Sequence, residues 1–188
     1  MITTAPETQR TAPRTPQAPF LRMPDWGAAG WAGLVAGTVF MVSEIGLLPW
    51  AKGGNAWVPV RMVAATIYGR SALPPPPYFL DVDGPNSGMF FLTLAIHYAL
   101  ALIYLRILST MIYRLDYRTA LGAGAVFGVA LYFVNFYAFT LAFPWFAAAR
   151  GWVSFLSNVL FGVVAAACYK AFERHEPLME DYDLPDRI

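Results

Sequence analysis

Glu44 stands in the stretch VFMVSEIGLLPW, residues 39 to 50, where every other side chain except Ser43 is apolar. Three further strongly polar residues occupy comparably apolar surroundings: His97, Asn135 and Asn158. A carboxylate beside an imidazole can pass a proton, hold an ion or bind a polar solute, so ionisable groups inside apolar spans are candidate functional sites. The same residue types also tie membrane helices together, each interhelical hydrogen bond contributing on the order of 1 kcal/mol. A structural polar layer, a functional site and a contact with a partner subunit or lipid are the three readings of these residues.

The remaining inventory narrows the chemistry. The other histidine, His175, lies in the C-terminal segment, so one chain cannot supply a bis-histidine haem. The single cysteine, Cys168, forms no internal disulfide, and with two distant histidines it makes no zinc or copper site without a partner. Asp81 and Asp83 in DVDGPN lack the third acidic position and the distal glutamate of a calcium loop. G-x-S-x-G, P-loop, HExxH and dinucleotide fingerprints do not occur. No catalytic residue is assigned, and no metal or cofactor is expected on this chain alone. A net charge of +1 gives no footprint for nucleic acid.

The elements that position the polar residues are set by hydropathy. The chain has 188 residues, 57% of them hydrophobic and 13% charged, with a mean hydropathy of +0.47. A soluble domain carries about a quarter charged residues. Here the apolar residues fall in four blocks, roughly 27–50, 88–113, 119–143 and 151–171, each long enough to cross a bilayer at about 20 residues per span. The expected fold is all-α: a polytopic membrane protein, residues 26–172, built as a four-transmembrane-helix bundle. Trp and Tyr favour the interfaces, and the six tryptophans fall at span ends: Trp26 and Trp31, Trp50 and Trp57, Trp145 and Trp152.

Helical phase then says where the polar residues point. Glu44 is six residues below Trp50, about 9 Å of helix rise inside the interface, and shares a face with Gly33, Gly37 and Phe40. Asn135 follows Gly124 and Gly128 on its face; Asn158 lies between Ser154 and Gly162 at steps of four; His97 shares a face with Ala101 and Tyr104. One polar residue per span at similar depth predicts a buried layer in the outer half of the bundle. In that layer Glu44 would partner His97 and the two asparagines, with Arg61 reaching down from the loop. Arg106, near the inner end of span two, reads as a snorkelling residue.

Residues 1–25, rich in proline and threonine and lacking an apolar signal region, read as a disordered tail, and 173–188 as an acidic solvated tail. The outer loop, 51–87, contains VPVRMVAATIYG, with Pro59 near a helix start and Gly69 as a stop, a short interfacial helix. Four consecutive prolines, Pro74 to Pro77, follow and favour an extended polyproline segment. Lys and Arg number nine on the face of the termini (Arg10, Arg14, Arg22, Arg106, Arg114, Arg118, Lys170, Arg174, Arg187) against four on the other (Lys52, Arg61, Arg70, Arg150). That bias predicts cytoplasmic termini.

GLVAG at 33–37, WVPVRM at 57–62, the proline run after 73, His97, FPWF at 143–146 and HEP at 175–177 carry a resemblance. The chain resembles small four-span bacterial inner-membrane proteins of the YagU-like kind, whose short relatives often carry the label sodium:proline symporter. The resemblance covers most of the chain from about residue 27 and implies the four-span architecture and an inner-membrane location. A sodium-coupled symporter needs inverted repeats and broken midplane spans, for which 188 residues are too few. Three function classes follow. One is a non-catalytic accessory or assembly subunit of a larger respiratory or photosynthetic membrane complex. Another is a small oligomeric transporter or channel using a Glu44/His97 site open to the outer face. The third is an outer-leaflet enzyme acting on a lipid or quinone. The partners expected are membrane lipids with protein subunits or further copies of the chain.

Overall fold

A computed structural model describes residues 23–53, 55–73 and 83–173. Both tails beyond these limits, the proline run, Asp81 and His175 lie outside the described residues. The described chain is helical throughout its regular structure: α1 (Trp26–Lys52), α2 (Trp57–Tyr68), α3 (Ser87–Ile112), α4 (Tyr117–Phe133) and α5 (Trp152–Phe172). Among the described residues four helices are long and apolar enough to cross a membrane: Trp26–Lys52, Ser87–Ile112, Tyr117–Leu141 and Trp152–Phe172. The protein is thus an all-α, multi-pass membrane protein, with span limits within two residues of those read from hydropathy. Its spans are apolar on every face, as helices that touch both neighbours and lipid must be.

Local chemistry sets the ends. Asp25 caps α1 by accepting the Ala28 N–H at 2.9 Å, and Asn86 caps α3 by accepting that of Met89 at 2.9 Å. Asp116 caps α4, accepting the Thr119 N–H at 3.1 Å and its hydroxyl at 2.6 Å. Those bonds hold the Asp116 carboxyl below its ordinary value. Glycines in the left-handed region stop α1 and α2, Gly53 at φ +81° and Gly69 at φ +73°.

Packing is uneven, and the unevenness creates the site. α5 is the central helix, packed extensively against both α4 and α1. Along α4 and α5 the backbones are in direct contact. A Cβ at Gly124 would strike the Gly162 carbonyl, one at Gly128 the Asn158 carbonyl, and one at Gly162 the Gly124 carbonyl. α1 meets α3 through Gly33, against Leu102 and Leu105, and Gly37, against Ala101 and His97. α3 and α4 are joined by a short turn yet touch little. The bundle therefore runs α3, α1, α5, α4, with a loose seam between its first and last members.

α2 closes the end of the bundle away from the start of α1 and the end of α5. Its Val58, Met62 and Ala65 are buried, and it packs on α3 and α1 rather than lying free. The Thr93 hydroxyl of α3 donates to the Val60 carbonyl at 2.9 Å. Trp145 departs from the interface position read for it. It is 7% exposed, and its indole N–H donates to the Met62 carbonyl at 2.9 Å, pinning the 3₁₀ turn Pro144–Ala149 beneath α2. The other five tryptophans are exposed, and the Arg106 guanidinium sits 5.4 Å from the Trp26 ring centre, toward the end where α1 begins.

Candidate functional site

The polar residues gather between α1, α3, α4 and α5. Ser154 and Asn158 are one turn apart on α5 and face inward because Gly162, a further turn along, holds that face against α4. The Ser154 hydroxyl stands 2.9 Å from the Ala149 carbonyl and 3.2 Å from Glu44 Oε2. Ser157, also buried on α5, lies beside the same carboxyl group. Asn158 Nδ2 donates to the Ser154 carbonyl at 2.7 Å, Asn135 Nδ2 to Asn158 Oδ1 at 3.0 Å, and the Tyr104 hydroxyl to Asn135 Oδ1 at 2.9 Å. Four helices are thus linked through Tyr104, Asn135, Asn158, Ser154 and Glu44, the step from Asn158 to Ser154 running through the Ser154 carbonyl.

Asn135 reaches this chain through a local change of helix type. After Phe133, α4 widens into a π-helical segment, Val134–Ala138, and then tightens into a 3₁₀ turn, Phe139–Leu141. Such segments rotate the following side chains and frequently mark functional positions. The disturbed end is fastened by Arg150, which donates to the Phe136 carbonyl at 2.7 Å and the Thr140 hydroxyl at 2.9 Å while lying 4.3 Å from the Tyr137 ring centre. The regular helix expected over 119–143 is therefore interrupted at the site itself.

Two expected members take other partners. His97 does not meet Glu44; its Nε2 bonds the Gly37 carbonyl at 2.8 Å, and its ring stacks on Phe40 with centres 5.9 Å apart. Gly37 and Glu44 are seven residues apart, about 10 Å along α1. Arg61 does not reach down: its guanidinium donates to the carbonyls of Asp83 and Ala72 at 3.1 and 3.2 Å, tying the outer loop to α2. No lysine, arginine or histidine nitrogen lies within ion-pair distance of Glu44 among the described residues. Tyr104 and Ser154 share faces with His97 and Asn158 in the sequence, yet periodicity alone does not identify them as bonding partners; Ser157, Thr93 and Arg150 gave no signal.

Glu44 is consequently under-bonded. It is 8% exposed, and its Oε1 is buried with no partner. Both it and His97 line a half-open cavity of about 520 Å³ in the loose seam, bounded by all four spans and roofed by α2. Most of the wall is apolar, with an aromatic side formed by Phe136, Phe139, Phe143 and Phe146. Volume and lining match sites for small molecules, which are mostly apolar with a few placed polar groups. Among the described residues no three His, Cys, Asp or Glu side chains are grouped closely enough to hold a metal ion.

Comparison with known proteins adds no assignment: no family model, curated protein or solved structure matches the chain.

Proposed function

We propose that this protein is a non-catalytic component of a bacterial inner membrane, with both termini cytoplasmic, that holds a largely apolar, membrane-soluble molecule inside its helix bundle. The observation that carries this reading is the cavity of about 520 Å³ between the spans, apolar but for a few inward polar groups. Residues of both α3 and α4 line the cavity, and these two helices touch little, so a sideways route from the acyl chains is available without crossing water. The charge bias between the two faces supports the orientation. An accessory role beside a larger complex accords with this reading, because a bound molecule near the bundle surface can be presented to a neighbouring subunit.

The transporter alternative draws support from Glu44 and His97 lining one cavity. The hydrogen-bond chain weighs against its use as a proton path. Two of its links are amides, which fix helices well and relay protons poorly.

Extraction into nanodiscs from the native membrane, followed by native mass spectrometry, tests the proposal. A defined small-molecule mass should remain with the protein and vanish in Leu94→Trp, which fills the cavity from its α3 wall. A protein of bare sequence mass with no adduct would defeat it. Partner subunits in the same spectrum would identify the complex it serves.

A further inference from the structure

His97 is anchored through one ring nitrogen and open at the other. Its Nε2 lies 2.8 Å from the Gly37 carbonyl. A carbonyl oxygen only accepts, so Nε2 carries the ring proton and the neutral imidazole presents Nδ1 as a bare acceptor. Nδ1 bonds none of the described residues, yet the fold does not seal it in, because among those residues the buried side-chain atom without a partner is Glu44 Oε1. The half-buried ring therefore keeps Nδ1 accessible. That surface opens to the cavity, whose wall His97 shares with Thr93, Leu94, Leu100 and Ala101, within a turn to either side on α3. Other polar side chains of the wall are engaged: the Thr93 hydroxyl with the Val60 carbonyl, Tyr104 with Asn135, and Asn135 with Asn158.

We infer that the cavity takes an apolar phenol or alcohol that donates its hydroxyl proton to His97 Nδ1. This rests on the reading of the cavity as a small-molecule site and adds the polar group its occupant must carry. A ketone, quinone, ether or ester has only acceptor oxygens and would set a lone pair against the Nδ1 lone pair. An ammonium group donates, but it would carry a charge through acyl chains into an apolar pocket. A hydroxyl donates without that charge. The imidazole stacks on Phe40 with centres 5.9 Å apart, and Phe136, Phe139, Phe143 and Phe146 form an aromatic side of the same cavity. Such walls suit a flat ring and make a phenol the better fit.

Three probes of similar shape, 2-naphthol, 2-methoxynaphthalene and 2-methylnaphthalene, separate a donor from an acceptor and from the apolar body. Purified full-length protein in detergent is titrated with each, and the rise in thermal midpoint gives the affinity by mass action. The expected result is about three- to tenfold tighter binding of 2-naphthol than of 2-methylnaphthalene, the size of one neutral hydrogen bond, with no gain for 2-methoxynaphthalene. His97→Phe should abolish the preference while still binding 2-methylnaphthalene, and the wild-type to variant ratio cancels unequal partition into micelles. A direct readout comes from the chain's two histidines labelled with heavy nitrogen, their signals assigned through His175→Gln. The His97 Nδ1 resonance should move upfield with 2-naphthol and stay in place with 2-methylnaphthalene. Equal affinity of the three probes, or an unmoved Nδ1 signal with 2-naphthol bound, would overturn the hydroxyl assignment and leave the apolar cavity intact. Binding of none would overturn both, and the wild-type measurements decide this even if the variant fails to fold.

Discussion

Ser154 Oγ stands between two acceptors, 2.9 Å from the Ala149 carbonyl and 3.2 Å from Glu44 Oε2, and it has one proton to give. The shorter contact survives without Glu44, so the carboxyl group depends on Ser154 more than Ser154 depends on it. With Oε1 unpartnered as well, Glu44 is a burden on the fold rather than a support.

Glu44→Leu should therefore raise stability by about 1–2 kcal/mol, the cost of one under-bonded buried polar group. Thermal unfolding in detergent checks the sign. A loss of similar size would show that Glu44 holds the bundle together.

Asn135 and Asn158 carry the opposite expectation. Asn158→Leu leaves Asn135 Nδ2 short of a partner and removes the extra bond to the Ser154 carbonyl, and should destabilise by about 1 kcal/mol or somewhat more. A double-mutant cycle of the two asparagines should give a coupling near 1 kcal/mol. A coupling near zero would dissolve the proposed bond.

Glycines divide into two groups by what surrounds them. Gly162→Leu drives a side chain into the Gly124 backbone and should cost about 3 kcal/mol or prevent assembly of α4 on α5. Gly30→Ala and Gly122→Ala meet nothing within 4 Å and should each stabilise by about 0.5–1 kcal/mol. Detergent unfolding of the three variants distinguishes packing glycines from incidental ones.

Trp145 and Trp152 should also part company. Trp145→Phe loses the bond to the Met62 carbonyl and should cost about 1–2 kcal/mol, whereas Trp152→Phe, 60% exposed in the wild type, should change stability by under about 0.5 kcal/mol. Equal effects would contradict the burial of Trp145.

A pH effect is expected from the α4 cap. The folded Asp116 carboxyl lies below its ordinary value of 3.8, so its contribution is complete above that value and is lost as pH falls through the lower folded value. Asp116→Asn, which retains a capping oxygen, should flatten the decline in thermal midpoint below about pH 4. An unchanged acid profile would remove Asp116 as its source.

What the sequence determined by itself is the architecture. Four apolar blocks and the stop at Gly69 are local signals, each legible within a few residues. It also placed Gly124, Gly128 and Gly162 on packing faces, because a small residue at a step of four has few other reasons to recur. Only the tertiary structure decided who bonds whom. Whether His97 meets Glu44 or the Gly37 carbonyl depends on how α3 crosses α1, and a helix residue displaced by one position turns by about 100°. The π-helical segment rotates Asn135 without a local signal, and Trp145 is buried because Phe143–Ala149 folds back under α2 rather than ending at an interface. Glu44 reads as buried from its neighbours in sequence; that one of its oxygens is left without a partner follows from how α1 packs on α5, a property of packing that no single helix contains.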